Sequence, residues 1–172
     1  MKHLFFVILL FFHWSYSSAC DCIMNKNLEE AQKLSFEENE LIFVGRVTEI
    51  RNDGSYVLEI IELFKGEIID SSFVNGISHN TCSMIPHNLY ETWLVYTNFN
   101  SEGNISISQC GLSRSFESPY YFGSGFFPPP PPDINNPIKI LELESQILDI
   151  KKKALEELKN EILLLRKMKK IR

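Results

Sequence analysis

The stretch Cys20-Asp21-Cys22 constrains this chain more than any other, because of what stands before it. An unbroken apolar run from Leu4 to Phe12 follows Lys2 and is too short to span a membrane. Ser17 and Ala19 are small residues at the two positions a signal peptidase reads. Residues 1–19 therefore read as a secretory signal peptide. Cleavage after Ala19 leaves a mature chain that begins Cys-Asp-Cys, with a free α-amino group on Cys20. The expected location is extracellular or periplasmic. Lipidation of Cys20 is the competing reading; bacterial lipid-attachment sites usually carry Leu three residues earlier, where this chain has Ser17.

All four cysteines, Cys20, Cys22, Cys82 and Cys110, lie beyond the expected cleavage site. An even number in an exported chain points to two disulfides. Bridging Cys20 to Cys22 would close a very small, strained ring. Each N-terminal cysteine is therefore expected to reach a different distant partner, and the residues alone leave open which one takes which.

The chain carries 17 Lys+Arg against 22 Asp+Glu, a net charge of −5. The acidic excess lies in residues 20–127, whereas residues 128–172 are basic on balance. An acidic domain repels phosphate backbones, so nucleic acid is not an expected partner. No later apolar run is long enough for a transmembrane helix.

Asn27 can cap a short helix with an apolar stripe at Leu28, Ala31 and Leu34, ending near Ser35 to Asn39. Strands are then predicted at Leu41–Arg51, Ser55–Lys65, Ile68–Ser78, Glu91–Phe99 and Asn104–Gln109. Gly45 inside the first predicts a bulge or bend, and Asn52-Asp53-Gly54 predicts a hairpin turn. Ile105 and Ile107 alternate onto one face of the fifth. Five strands with a bend glycine in the first suggest a mainly β fold, a small five-stranded barrel of the OB type; a sandwich usually needs about seven strands.

The mature domain is taken as residues 20–117. Residues 118–137 form an aromatic and proline-rich linker whose run Pro128–Pro132 is extended and semi-rigid. Residues 138–172 form an amphipathic helix with a basic end, opened by Pro137. Its apolar face includes Leu141, Leu148, Leu155 and Ile162, seven apart. The apolar face must be buried in a coiled coil, on the barrel itself or against another protein; the proline spacer argues against docking on the barrel and predicts a separable helix, residues 138–170, that seeks a partner or self-associates.

No catalytic constellation is legible. His79 and His87 flank Cys82, but a His/Cys zinc site needs thiolates that an oxidising compartment disfavours. Glycine-rich phosphate loops and nucleophile elbows are absent. The chain is not expected to be an enzyme, nor to carry a cofactor or a metal of its own. Asn104-Ile105-Ser106 is a glycosylation acceptor in a eukaryotic host only.

Several features then fall in a familiar order: Cys20-x-Cys22, a short helix, Phe43-Val44-Gly45, Tyr56 with Phe64-Lys65-Gly66, Cys82, Trp93-Leu94-Val95-Tyr96, Gly103 to Ile107, and Cys110-Gly111-Leu112-Ser113-Arg114-Ser115. Over Cys20 to Ser115 the chain resembles the netrin-like (NTR) module of the tissue inhibitors of metalloproteinases (TIMPs), with an ending like that of bacterial members. The resemblance implies an OB barrel and the pairs Cys20–Cys82 and Cys22–Cys110, each stabilising by roughly 4 kcal/mol in the chain-entropy model. It implies that the amine and carbonyl of Cys20 chelate the zinc of a metalloproteinase, and that residue 21 enters the pocket beside it. The family usually has a small uncharged residue there, and this chain has Asp21. The family's third disulfide and second cysteine-rich subdomain are absent. The alternative function is a non-inhibitory secreted or surface module that binds protein through the fold or the C-terminal helix.

Overall fold

A computed structural model describes residues 20, 22, 27–68, 72–78, 81–121 and 136–170. The proposed signal peptide, Asp21, His79 and the five-proline run lie outside the described residues.

The order along the chain is α1 (Leu28–Glu38), β1 (Leu41–Ile50), β2 (Tyr56–Lys65), β3 (Phe73–Gly76), β4 (Ser83–Met84), β5 (Thr92–Thr97), β6 (Ile107–Ser108), β7 (Arg114–Ser115) and α2 (Pro137–Lys170). Asn27 caps α1 as expected, its Oδ1 accepting from the Glu30 N–H at 2.7 Å. At the other end of α1, Lys65 Nζ donates to the carbonyls of Phe36 and Glu37 at 2.6 and 3.2 Å. A cation there satisfies helix carbonyls that have no partner within the helix.

Five strands form one antiparallel sheet in the order β3-β2-β1-β5-β7, and β4 pairs with β6 in a second, two-stranded ladder. The β1–β2 register slips between Val44 and Gly45, where the bend was expected. A Cβ on Gly45 would sit 2.7 Å from the Phe43 ring and 3.1 Å from the Glu59 carbonyl. Gly76 is needed for a similar reason, since a side chain there would collide with the Tyr56 ring.

Strand membership differs from the expectation. Among the described residues the third strand spans Phe73–Gly76, and β4 and β7 were not foreseen. The expected strand Asn104–Gln109 does not join the large sheet. It contributes β6 to the small ladder, while Ile105 makes isolated bridges to Gly76 and Phe99. The strand that borders β5 is instead β7, held by Trp93↔Ser115 and Leu94↔Arg114.

Both faces of the central strands are buried. Leu41, Phe43 and Val47 of β1, with Trp93 and Val95 of β5, pack on Tyr56, Leu58, Val74, Ile105 and Ile107. Their alternates Ile42, Val44, Leu94 and Tyr96 point to the opposite face, where they meet Ala31 and Phe36 of α1 and Leu158, Ile162 and Leu165 of α2.

This second cluster corrects the expectation of a separable helix. The latter half of α2 buries Ala154, Leu158, Glu161, Ile162 and Leu165, and so belongs to the core. The reason is the sheet's outer face: without α2 the side chains of Ile42, Val44 and Leu94 would meet water. Burying a large aliphatic side chain stabilises by about 1.5–3 kcal/mol, and several such side chains are buried here together. Arg166 of α2 adds a forked pair to Glu62 of β2, at 2.7 and 2.9 Å.

Candidate functional site, the disulfide-anchored N-terminal edge

The two disulfides define the site. Cys20 is bonded to Cys82 and Cys22 to Cys110, spanning 62 and 88 residues, with Cα–Cα distances of 5.4 and 5.1 Å. This is the pairing the resemblance implies. Cys82 immediately precedes β4 and Cys110 follows β6 by two residues. The ladder pairs Ser83 with Ser108 and Met84 with Ile107, and the Gln109 N–H donates to the Cys82 carbonyl at 2.8 Å. The two receiving cysteines therefore sit side by side at one end of a hydrogen-bonded ladder. Cys20 and Cys22, only two residues apart, are clamped to neighbouring points of it.

The ladder rests on the core beneath. Ile107 is fully buried, and Met84 and Ile85 pack against the cluster that contains Tyr56 and Trp93. Ser83 and Ser106 hydroxyls lie 2.9 Å apart, and the Cys110 N–H donates to Ser108 Oγ at 3.2 Å. These short polar contacts fix the loop ends that carry the cysteines. All four cysteines are half-buried, so the edge is supported from below and reachable from outside.

His87 is exposed, and no three His, Cys, Asp or Glu side chains among the described residues are placed to hold a metal ion. No described helix is long and apolar enough to cross a membrane. Two disulfides fit a protein that matures in an oxidising compartment.

A polar cluster that the sequence reading missed lies under α2. Glu161 accepts from Arg114 Nη2 at 2.6 Å, from the Tyr96 hydroxyl at 2.6 Å and from Gln32 Nε2 at 2.9 Å. Arg114 also donates to the Leu112 carbonyl at 2.7 Å and lies 5.3 Å over the Tyr121 ring. Burial, and then the Glu161 charge, push the Tyr96 phenol far above its ordinary range. Burial likewise raises the Glu157 carboxyl, with Arg114 pulling it down and Glu161 adding to the rise. The cluster is enclosed, with Arg114 and Glu161 side chains 1% and 0% exposed. It joins α1, β5, β7 and α2, which is a structural task rather than a catalytic one. The one signal in the sequence was a lone acid, Glu161, set between the apolar residues Leu158 and Ile162 on the inner face of the helix.

No family model matches the chain, and no curated protein matches it significantly.

Proposed function

We propose that this chain is a secreted NTR module of the TIMP type and that it inhibits a zinc metalloproteinase through its mature N-terminus. The observation that carries the reading is the clamp: two disulfides hold Cys20 and Cys22 at adjacent points of the β4–β6 ladder. An inhibitor that chelates a metal with its first residue needs that residue immobile beforehand, because ordering it on binding would reduce affinity.

Two further observations support the OB-barrel part of the proposal. Ile105 bridges Gly76 of β3 in a parallel sense and Phe99, just beyond β5, in an antiparallel sense. Its N–H donates to the Asn75 carbonyl, and its carbonyl accepts from Ile77 N–H, both at 2.9 Å. One segment thus touches β3 at the edge of the sheet and the continuation of β5 from the other side, as strands of a curled sheet would.

The Cys20 amine nitrogen and carbonyl oxygen would be ligands to the zinc of the target protease, in the place of the water that the zinc would activate there. The amine must be neutral to donate its lone pair, which an α-amino pKa of about 8 allows. Asp21 then faces the pocket beside the metal. A carboxylate in an apolar pocket is costly to desolvate, whereas a pocket lined by Arg or Lys would hold it by a charge-assisted hydrogen bond. The inferred target is therefore a zinc protease with a basic pocket.

The test is inhibition of a panel of zinc proteases by the mature protein, by a form with one alanine added before Cys20, and by Asp21→Ser. The mature form should inhibit and the extended form should not. Asp21→Ser should gain against apolar pockets and lose against basic ones. Equal inhibition by the extended form, or none by the mature form, contradicts the reading.

A further inference from the structure

The first half of α2 stands clear of the sheet. Its buried residues begin at Ala154, while Leu141 and Leu148 are 65% and 66% exposed. Together with half-buried Leu155 they form one stripe along the helix. The stripe deepens into a shallow apolar strip floored by Leu148 and Leu155 and edged by Lys151, Lys152, Lys159 and one acid, Glu156.

The pattern of this face has a centre. Counted outward from Leu148, a leucine stands seven residues away on each side, Leu141 and Leu155. One turn to either side of Leu148 the charges are opposite: Glu144 stands before it, and Lys151 and Lys152 stand after it. Glu144 and Lys152 are exposed and enter none of the ion pairs among the described residues.

We infer that this face pairs α2 with the α2 of a second copy of the chain, antiparallel, about a two-fold axis at Leu148. That arrangement sets Leu141 against Leu155 of the second copy and Leu148 against itself. It also sets Glu144 of each copy opposite Lys152 of the other. A parallel pair would place Lys on Lys and Glu on Glu, which is repulsive. A self-complementary patch of this kind is what a two-fold interface requires. An anionic surface would suit the lysines but would repel Glu142 and Glu144, which flank Leu141 and Leu148 on the same half of the helix. The leucine stripe from Leu141 to Leu155 covers about 21 Å at a rise of ~1.5 Å per residue, so the association is of the weak class. Charge sets its orientation, and the leucines supply most of its strength.

The experiment is sedimentation equilibrium of the mature, oxidised full-length protein over a wide concentration range. A monomer–dimer equilibrium is expected. Leu148→Glu should abolish it with the melting temperature nearly unchanged, because Leu148 is 66% exposed and lies outside both core clusters. Glu144→Lys alone and Lys152→Glu alone should each weaken the dimer roughly tenfold, since each breaks both symmetry-related pairs. The two changes together should restore the dimer to within about twofold. A monomer at every concentration, reversals without effect, or a double variant as weak as the singles would overturn the inference. So would a chain that stays monomeric while binding vesicles of anionic lipid, which would assign the stripe to a membrane surface.

Discussion

The carboxylate of Glu161 lies 2.6 Å from the guanidinium of Arg114, and both side chains are almost wholly shielded from water. An ion pair so placed adds little stability by itself, because desolvating two charges offsets most of their attraction. Its consequence is specificity. Leu158, Ile162 and Leu165 could slide along an apolar sheet face at small loss, but Glu161 can meet Arg114, Tyr96 and Gln32 at one position only. The pair sets the register of α2 on the sheet.

Breaking one side of that pair should therefore be severe. Glu161→Ala leaves Arg114 buried and unpaired and is expected to lose about 3–5 kcal/mol. Replacing both with apolar residues of similar volume, Arg114→Met with Glu161→Leu, should recover most of the loss. Urea unfolding of the oxidised protein measures both. A loss under about 1 kcal/mol for Glu161→Ala would mean that water reaches the cluster.

A chain ended after Tyr121 should fail to unfold cooperatively. It keeps every strand but bares Ile42, Val44, Leu94 and Tyr96 and strands Arg114 without its carboxylate. Thermal melting followed by circular dichroism is the check. A sharp transition within a few degrees of the intact protein would show that the sheet is self-sufficient.

The role of α2 was legible in the strands rather than in the helix. Leu41-Ile42-Phe43-Val44 and Trp93-Leu94-Val95-Tyr96 are continuous apolar runs, the pattern of strands covered on both faces. A half-solvated sheet would alternate, as Ile105 and Ile107 do. A linker's stiffness, such as that of a five-proline run, says little about where its far end docks. The α1 cap, the Gly45 bulge and the first two long strands were readable because each depends on local chemistry. Strands β4 and β7, two residues each, carry no periodic signal; distant backbone partners create them. The disulfide pairs could be narrowed by ring strain but assigned only through the family resemblance, since connectivity depends on the fold.

Acid should loosen the contact between α2 and β2. The forked hydrogen bond from Arg166 holds the Glu62 carboxyl below its ordinary range, with burial opposing. A depressed folded pKa means that the contribution is present above the ordinary carboxylate value and is lost as pH falls through the depressed one. Arg166→Gln should thus lower the melting temperature near neutrality, and the gap from the unaltered protein should close as pH falls below the ordinary carboxylate range. A gap that stays constant over that range would assign the effect to packing of the Arg166 stem rather than to its charge.

The claim that Cys20 acts through its amine is tested most directly by modifying that amine alone. Cyanate in mildly acid buffer carbamylates an α-amino group in preference to lysine, because more of it is neutral there. Inhibition of a susceptible zinc protease would be measured before and after treatment, with the site of modification confirmed by mass spectrometry. The account predicts that inhibition is lost in step with carbamylation of Cys20 while the melting temperature holds. Full inhibition by protein carbamylated at Cys20 would contradict it.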